Sequence, residues 1–392
     1  MFFYAANIIV SCEKRDYLCV QTKKQMENFV VSARKYRPTT FKSVVGQPAL
    51  VATLKNSIQT NRLAHAYLFC GPRGVGKTTC ARIFAKTINC EHLTPDFEAC
   101  NECQSCKSFN EQRSFNIHEL DAASNNSVED IRQLIEEVRV QPQDGKYSVF
   151  IIDEVHMLTT AAFNAFLKTL EEPPAYAIFI LATTEKHKII PTILSRCQVY
   201  DFNRIGVSDI VGHLEYVAKS ENVQVETEAL NVIAQKADGG MRDALSTFDQ
   251  VVSFCGNDIK YKDVIENLNV LDYNYYFQIV DAMLQCDAPK VMMILDEILS
   301  KGFDGAHFVS GLCSHLRNVL VCKDEQTVKL LEVGASIGET YKAQAGKCEL
   351  QFLYDALRIV NECDLRYRQS NNKRLMIEVM LIRLCQLPAK KK

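Results

Sequence analysis

Four apolar runs punctuate the first half of the chain: Ala66–Cys70, the alternating Ser114–Asp121, Tyr147–Ile152 and Ala177–Thr183. Each has the length of a buried strand, and the segments between them read as helices. One helix opens at Gln47-Pro48 and runs to about Gln59. A second continues from Thr79 to Lys86, with Ile83 and Phe84 on its apolar side. A third is capped within Asn125–Asp130 and runs to about Val138, and a fourth spans Ala161–Glu172, stopped by Pro173-Pro174. Buried strands alternating with helices predict an open, doubly wound parallel α/β sheet. Residues 207 to about 269 read as a small helical unit. From about Asp272 the pattern is helical throughout, with Phe277, Val280, Met283 and Leu284, then Val291, Ile294, Leu295 and Ile298, at three- and four-residue spacing. Further helical stretches are expected over 305–322, 324–333 and 349–386.

The chemistry begins where the first run ends. Gly71–Thr78 reads GPRGVGKT and fits G-x-x-x-x-G-K-[ST], with a strand before it and a helix after it. In that context the backbone of Gly71, Pro72, Arg73, Gly74, Val75 and Gly76, running on into Thr79, is expected to curl around phosphates at a helix N-terminus. Lys77 would reach the β- and γ-phosphates, and the Thr78 hydroxyl would ligate Mg²⁺. The third run ends in Asp153-Glu154, the Walker B arrangement. Asp153 would hold the Mg²⁺ shell and Glu154 would orient the attacking water. Thr184, just past the fourth run, is either a hydrogen-bonding partner of the γ-phosphate or lytic water, or a plain strand-end threonine. Arg34, Lys35 and Arg37 either wrap the nucleotide base or form a solvated basic face.

Composition adds a metal and removes a membrane. Of the 16 cysteines, four follow the spacing Cys90-x9-Cys100-x2-Cys103-x2-Cys106. Four thiolates suit tetrahedral Zn²⁺ in a closed structural site, a disulfide pair being the alternative. Others, such as Cys70, Cys197, Cys313 and Cys385, lie in apolar runs, as buried thiols do in a reducing cytoplasmic compartment. At 392 residues, 47% hydrophobic and 23% charged, the chain has the make-up of a globular protein of two or three domains. A net charge of −2 excludes a generally basic nucleic-acid coat but leaves local basic surfaces open. No apolar run is long enough to span a bilayer. Residues 1–27 read as a disordered extension: the apolar Phe2–Val10 is short and follows no Lys or Arg, so a signal peptide is not expected.

The segments ARKYRPTTF, VVGQ, AHAYLF, GPRGVGKT, the four cysteines, DEVHML, FNAFLKTLEEPP, LATT and ILSRC occur in one order. Together they resemble the gamma/tau subunits of bacterial DNA polymerase III, the AAA+ ATPases of the sliding-clamp loader, over roughly residues 28–387. Eukaryotic small clamp-loader subunits share Ser195-Arg196-Cys197 but lack the zinc knuckle. The resemblance implies an AAA+ nucleotide-binding domain over 28–206 with a zinc module at 90–106, a helical lid over 207–269 and an all-α collar over 270–392. It implies ATP as the nucleotide, Arg196 as an arginine finger acting on a neighbouring subunit's ATP, and Arg242 as a sensor of the chain's own ATP. On the residues alone, Arg196 reads equally as a surface ion-pair partner and Arg242 as an ordinary helix-start arginine. Implied partners are the other clamp-loader subunits, joined through the collar in a hetero-pentamer, the sliding clamp and primer–template DNA. Arg132 and Lys168 fall where relatives track template phosphates. The chain is gamma-like in extent, so the longer form's contacts with polymerase core and helicase are not carried over.

Overall fold

The computed structural model describes residues 30–388 except positions 144 and 332, and the extension expected over 1–27 lies outside the described residues. Among the described residues, those up to Arg37 fall in a unit of their own. Within it Ser32–Lys35 makes one helical turn, with Tyr36 as its C-cap. The rest of the chain, from Pro38 onward, forms the second unit.

Five strands make the central sheet of that second unit: β1 (Ala66–Cys70), β2 (Ile117–Asp121), β3 (Ser148–Asp153), β4 (Ala177–Thr183) and β5 (Gln198–Asp201). They are parallel and ordered β2-β3-β4-β1-β5. The connection from β1 leaves for the far edge and returns, so β1 sits where the winding reverses. The crevice beyond the carboxyl ends of strands at such a point is where α/β sheets bind ligands.

Side-chain alternation along the strands builds two cores. Leu68, Phe150, Ile152, Phe179 and Leu181 face α4 (Val128–Val138) and α5 (Thr160–Glu171). Tyr67, Phe69, Val149, Ile151, Ile178 and Ile180 face α1 (Pro48–Gln59) and α2 (Lys77–Ile88). Strands covered on both faces explain why these runs read as continuously apolar. The short α3 (Gln104–Asn110) belongs to the cysteine module.

The lid comprises α6 (Val207–Ser220), α7 (Thr227–Lys236), α8 (Met241–Cys255) and α9 (Tyr261–Leu268), with β6 (Gln224–Val225) paired to β7 (Asp258–Ile259). The collar packs α10 (Tyr273–Leu284), α11 (Ala288–Ser300), α12 (Gly305–Val321), α13 (Ala335–Lys347), α14 (Leu350–Tyr367) and α15 (Lys373–Cys385) around a separate core. Val280, Met283, Val291, Leu295 and Ile298 are all buried there, as their spacing predicts.

One collar expectation is corrected. Among its described residues the stretch 324–333 holds a short 3₁₀ turn at Val328–Leu330 rather than a helix, because the Asp324 side chain accepts from Gln326 N–H and closes a local turn. The helix lies further on, at Ala335–Lys347. There Tyr341 and Ala345 are buried, but Gly338 and Gly346 dilute the apolar stripe. The helical stretch expected over 349–386 holds two helices, α14 and α15, the second capped by Asn372, which accepts from Leu375 N–H.

Candidate nucleotide and metal sites

The phosphate loop is built where β1 stops. Gly71 N–H donates to Thr183 O at 3.2 Å and Phe202 N–H to Cys70 O at 2.7 Å, which ties the loop's start to the ends of β4 and β5. Gly71 has φ +149°, and a Cβ there would lie 2.5 Å from Phe202 O, so a side chain is excluded by backbone. The loop delivers Lys77 as the first residue of α2. Its side chain is buried and its ammonium donates to Gly71 O at 2.8 Å and Pro72 O at 2.7 Å. Burial lowers its pKa, opposed by the nearby Glu154 and Asp153 carboxylates.

One residue on, the Thr78 hydroxyl donates to Asp153 Oδ2 at 2.6 Å. A hydroxyl and a carboxylate side by side are the hard oxygen donors that Mg²⁺ accepts, so the pair fits that ion. Glu154 occupies the left-handed region at φ 47°, ψ 43°, which swings it out of line with β3. Its Oε2 accepts from Thr184 N at 3.3 Å and from the Thr184 hydroxyl at 3.0 Å. Lys77, Thr78, Asp153, Glu154 and Thr184 are therefore brought together along the carboxyl edge of β1, β3 and β4.

The lid closes on this loop. Arg242, second residue of α8, donates its backbone N–H to Gly74 O at 3.4 Å. A Cβ on Gly74 would lie 3.2 Å from the Gly240 Cα, so loop and lid approach backbone to backbone. Arg242 thus lies, through its backbone, against the phosphate loop.

Arg196 does not. It lies two residues before β5, whose Gln198 pairs with Tyr67, so its backbone is level with the start of β1. The loop lies six residues further along a parallel strand, about 20 Å at 3.3 Å per residue. At that opposite edge the guanidinium donates to Glu171 Oε1 at 2.6 Å, Thr192 O at 2.8 Å and Ser195 Oγ at 3.2 Å. On its own chain Arg196 is an ion-pair partner. Arg132 and Lys168 are exposed on the neighbouring α4 and α5.

Cys90, Cys100, Cys103 and Cys106 place their sulfurs within 4.8 Å of one another, and all four are free thiols. Bonds of about 2.3 Å to a tetrahedral Zn²⁺ require sulfur separations near 3.8 Å, so the cluster fits the ion. Backbone N–H groups of Glu102 and Cys103 donate to Cys100 Sγ at 3.4 and 3.3 Å. Although burial opposes it, these donors and the neighbouring thiols draw the Cys100 thiol down to about 6. Burial pushes the Cys90 and Cys106 thiols up.

Two residues that sequence reasoning missed anchor this module. Lys86, on α2, is 3% exposed and donates to the side chains of Asn101 and Asn110. Its burial lowers its pKa, and the four thiols oppose that shift. Glu98 accepts from Phe41 N at 2.9 Å and Lys42 N at 3.0 Å and pairs with Lys55 at 2.7 Å. A lysine among the buried, otherwise uncharged residues Ile83–Ile88 was the available signal for the first.

Three family models cover most of the chain. That of the DNA polymerase III delta subunit matches residues 46–206. That of the clamp loader subunit ATPase lid domain matches 209–257, and that of DNA polymerase III subunits gamma and tau domain III matches 259–392. The tau subunit of Bacillus subtilis is 41% identical over 353 residues, covering 90% of this chain and 62% of its own. The Escherichia coli tau subunit is 40% identical, covering 71% and 43%. The chain thus spans less than two thirds of these longer relatives. The gamma subunit of Buchnera aphidicola subsp. Baizongia pistaciae is 32% identical, covering 93% of this chain and 98% of its own. With a relative matched along nearly its whole length and the gamma and tau domain present, the chain belongs to the DNA polymerase III gamma/tau family.

Proposed function

We propose that this chain is the ATPase motor subunit of a replicative sliding-clamp loader, using ATP to open a ring-shaped clamp and load it onto primer–template DNA. The observation that carries the reading is the convergence of Lys77, Thr78, Asp153 and Glu154 on one strand edge under a lid that touches the loop. Loop N–H groups and Lys77 would hold the triphosphate, the ammonium exchanging loop carbonyls for phosphate oxygens. Mg²⁺, held by Thr78 and Asp153, would neutralise charge on the β- and γ-phosphates. Glu154 would orient and polarise the attacking water.

Arg196, at the far edge of the sheet, would reach a neighbouring subunit's ATP. A guanidinium there stabilises charge on the transferred phosphoryl group, an effect of roughly 10³–10⁵ in rate. Arg242, against the loop, would couple lid angle to nucleotide state. The division into an AAA+ domain over 28–206, a lid over 207–269 and a collar over 270–392 follows the same reading. So do the partners: other clamp-loader subunits in a hetero-pentamer, the clamp and primed DNA, in a cytoplasmic replisome. Among the described residues no helix is long and apolar enough to cross a membrane. Zn²⁺ on the four cysteines would tie the 90–106 insertion to α2.

Glu154→Gln tests the reading. The variant should bind ATP as the parent does and hydrolyse it on the order of 10²-fold more slowly. Hydrolysis at the parental rate would leave a nucleotide-binding scaffold instead.

A further inference from the structure

His156 has no part in the account so far, yet it lies beside the residue on which hydrolysis depends. It sits in the 3₁₀ turn Val155–Met157 that follows Glu154, and its side chain is 8% exposed. Its Nδ1 lies 3.4 Å from Glu154 Oε2 and 3.1 Å from the Thr183 hydroxyl. That hydroxyl accepts from Glu185 N–H at 3.0 Å, which holds Thr183 in place. A carboxylate oxygen can only accept, so Nδ1 can bond to it only in the form that carries hydrogen on that nitrogen. The Thr184 N–H and hydroxyl point at the same Oε2. Two donors from the end of β4 therefore meet one oxygen of Glu154, and the imidazole of the turn lies beside the same oxygen.

The backbone enforces this. Glu154 is in the left-handed region, its N–H donates to Asp153 Oδ1 at 2.9 Å, and its carbonyl accepts from Met157 N–H at 2.8 Å. Glu154 and His156 thus belong to one rigid turn, and a strained backbone held by its surroundings is a common device for fixing a reactive group.

We propose that His156 is a positioning residue: with Thr184 it clamps Oε2 of Glu154, so that Oε1 is the oxygen turned toward the attacking water. The proposal rests on the ATPase reading above, and no atom of His156 takes part in the bond changes. A carboxylate free to rotate would still bind water but would spend little time aligned with the phosphorus, and misalignment by an ångström is costly.

The test uses the full chain, His156→Ala and His156→Asn, the asparagine amide standing near the position of Nδ1. ATP affinity, kcat and thermal stability are measured for each. His156→Ala should lower kcat about tenfold with ATP affinity within twofold, and His156→Asn should recover at least threefold of that loss. Adding His156→Ala to Glu154→Gln should slow the reaction no further. A His156→Ala enzyme with parental kcat, or an asparagine variant as slow as the alanine one, overturns the proposal. Nitrogen-15 spectra of histidine-labelled protein, assigned by the signal missing in His156→Asn, report the ring's tautomer independently of turnover. Hydrogen on Nδ1 supports the clamp, and hydrogen on Nε2 alone contradicts it. A parent without ATPase activity would defeat the proposed function, and the tautomer would then still decide whether the clamp exists.

Discussion

Thr78 donates its hydroxyl to Asp153 Oδ2 at 2.6 Å, joining the start of α2 to the end of β3 across two strands that are not neighbours in the sheet. The contact places the two proposed magnesium ligands and Lys77 in one small volume before any ligand is considered. Lys77→Ala should therefore weaken ATP binding by more than tenfold, as read by titration with a fluorescent ATP analogue. An affinity equal to the parent's would mean that the loop is not the nucleotide site.

Arg196 and Glu171 form an ion pair at the edge of the sheet opposite the loop. On the proposed role in a neighbour's site, Arg196→Ala should leave ATP affinity unchanged while lowering hydrolysis in the assembled complex by roughly 10³-fold. In the isolated chain the same substitution should change little. A loss of ATP binding in the isolated chain would refute action in trans.

The cysteine module makes a prediction about metal and pH together. Purified protein should contain one zinc per chain, and a strong chelator should remove it with a fall in thermal stability, since binding energy at such a site is folding energy. Bound zinc requires deprotonated sulfurs, and burial raises the Cys90 and Cys106 thiols. Protons therefore compete more strongly as pH falls, and zinc should leave faster at pH 5 than at pH 7. Lys86→Met, which removes the buried ammonium facing the thiols, should speed that loss. Metal content well below one per chain at neutral pH would count against the site.

His315 gives the collar its own pH dependence. It is 1% exposed, with Nδ1 3.0 Å from the Tyr341 hydroxyl and Nε2 2.8 Å from Gln344 Oε1. Burial pushes its pKa down from 6.5 to about 4. The unfolded chain takes up a proton below 6.5 while the folded chain does so only near 4, so stability is complete above 6.5 and falls as pH drops between the two. The loss is at most about 3 kcal/mol, from the shift at ~1.4 kcal/mol per unit. Urea unfolding at pH 7 and pH 4.5 should show it, and His315→Gln should reduce the difference. An unchanged pH dependence in the variant would assign it elsewhere.

What was legible in the sequence was what is local. The phosphate loop, Asp153-Glu154 and the four cysteines are contiguous or closely spaced, and their strand and helix contexts lie in the same short stretches. α1 was placed to the residue, because Gln47-Pro48 marks its start. Contacts that join distant segments were not legible: Glu98 on residues 41 and 42, Lys86 among the cysteine-module asparagines, Thr184 on Glu154. No periodicity encodes which strand ends meet. The misplaced collar helix has a different origin, since a helix such as α13, diluted by glycines, has little stripe to read.

The central claim is that this chain's ATP hydrolysis is geared to clamp and DNA. Steady-state ATPase, measured on the chain assembled with its proposed partner subunits, tests it most directly when clamp and primed DNA are added separately and then together. The account predicts strong stimulation only when both are present, abolished by Glu154→Gln. A weak rate indifferent to both additions would contradict it.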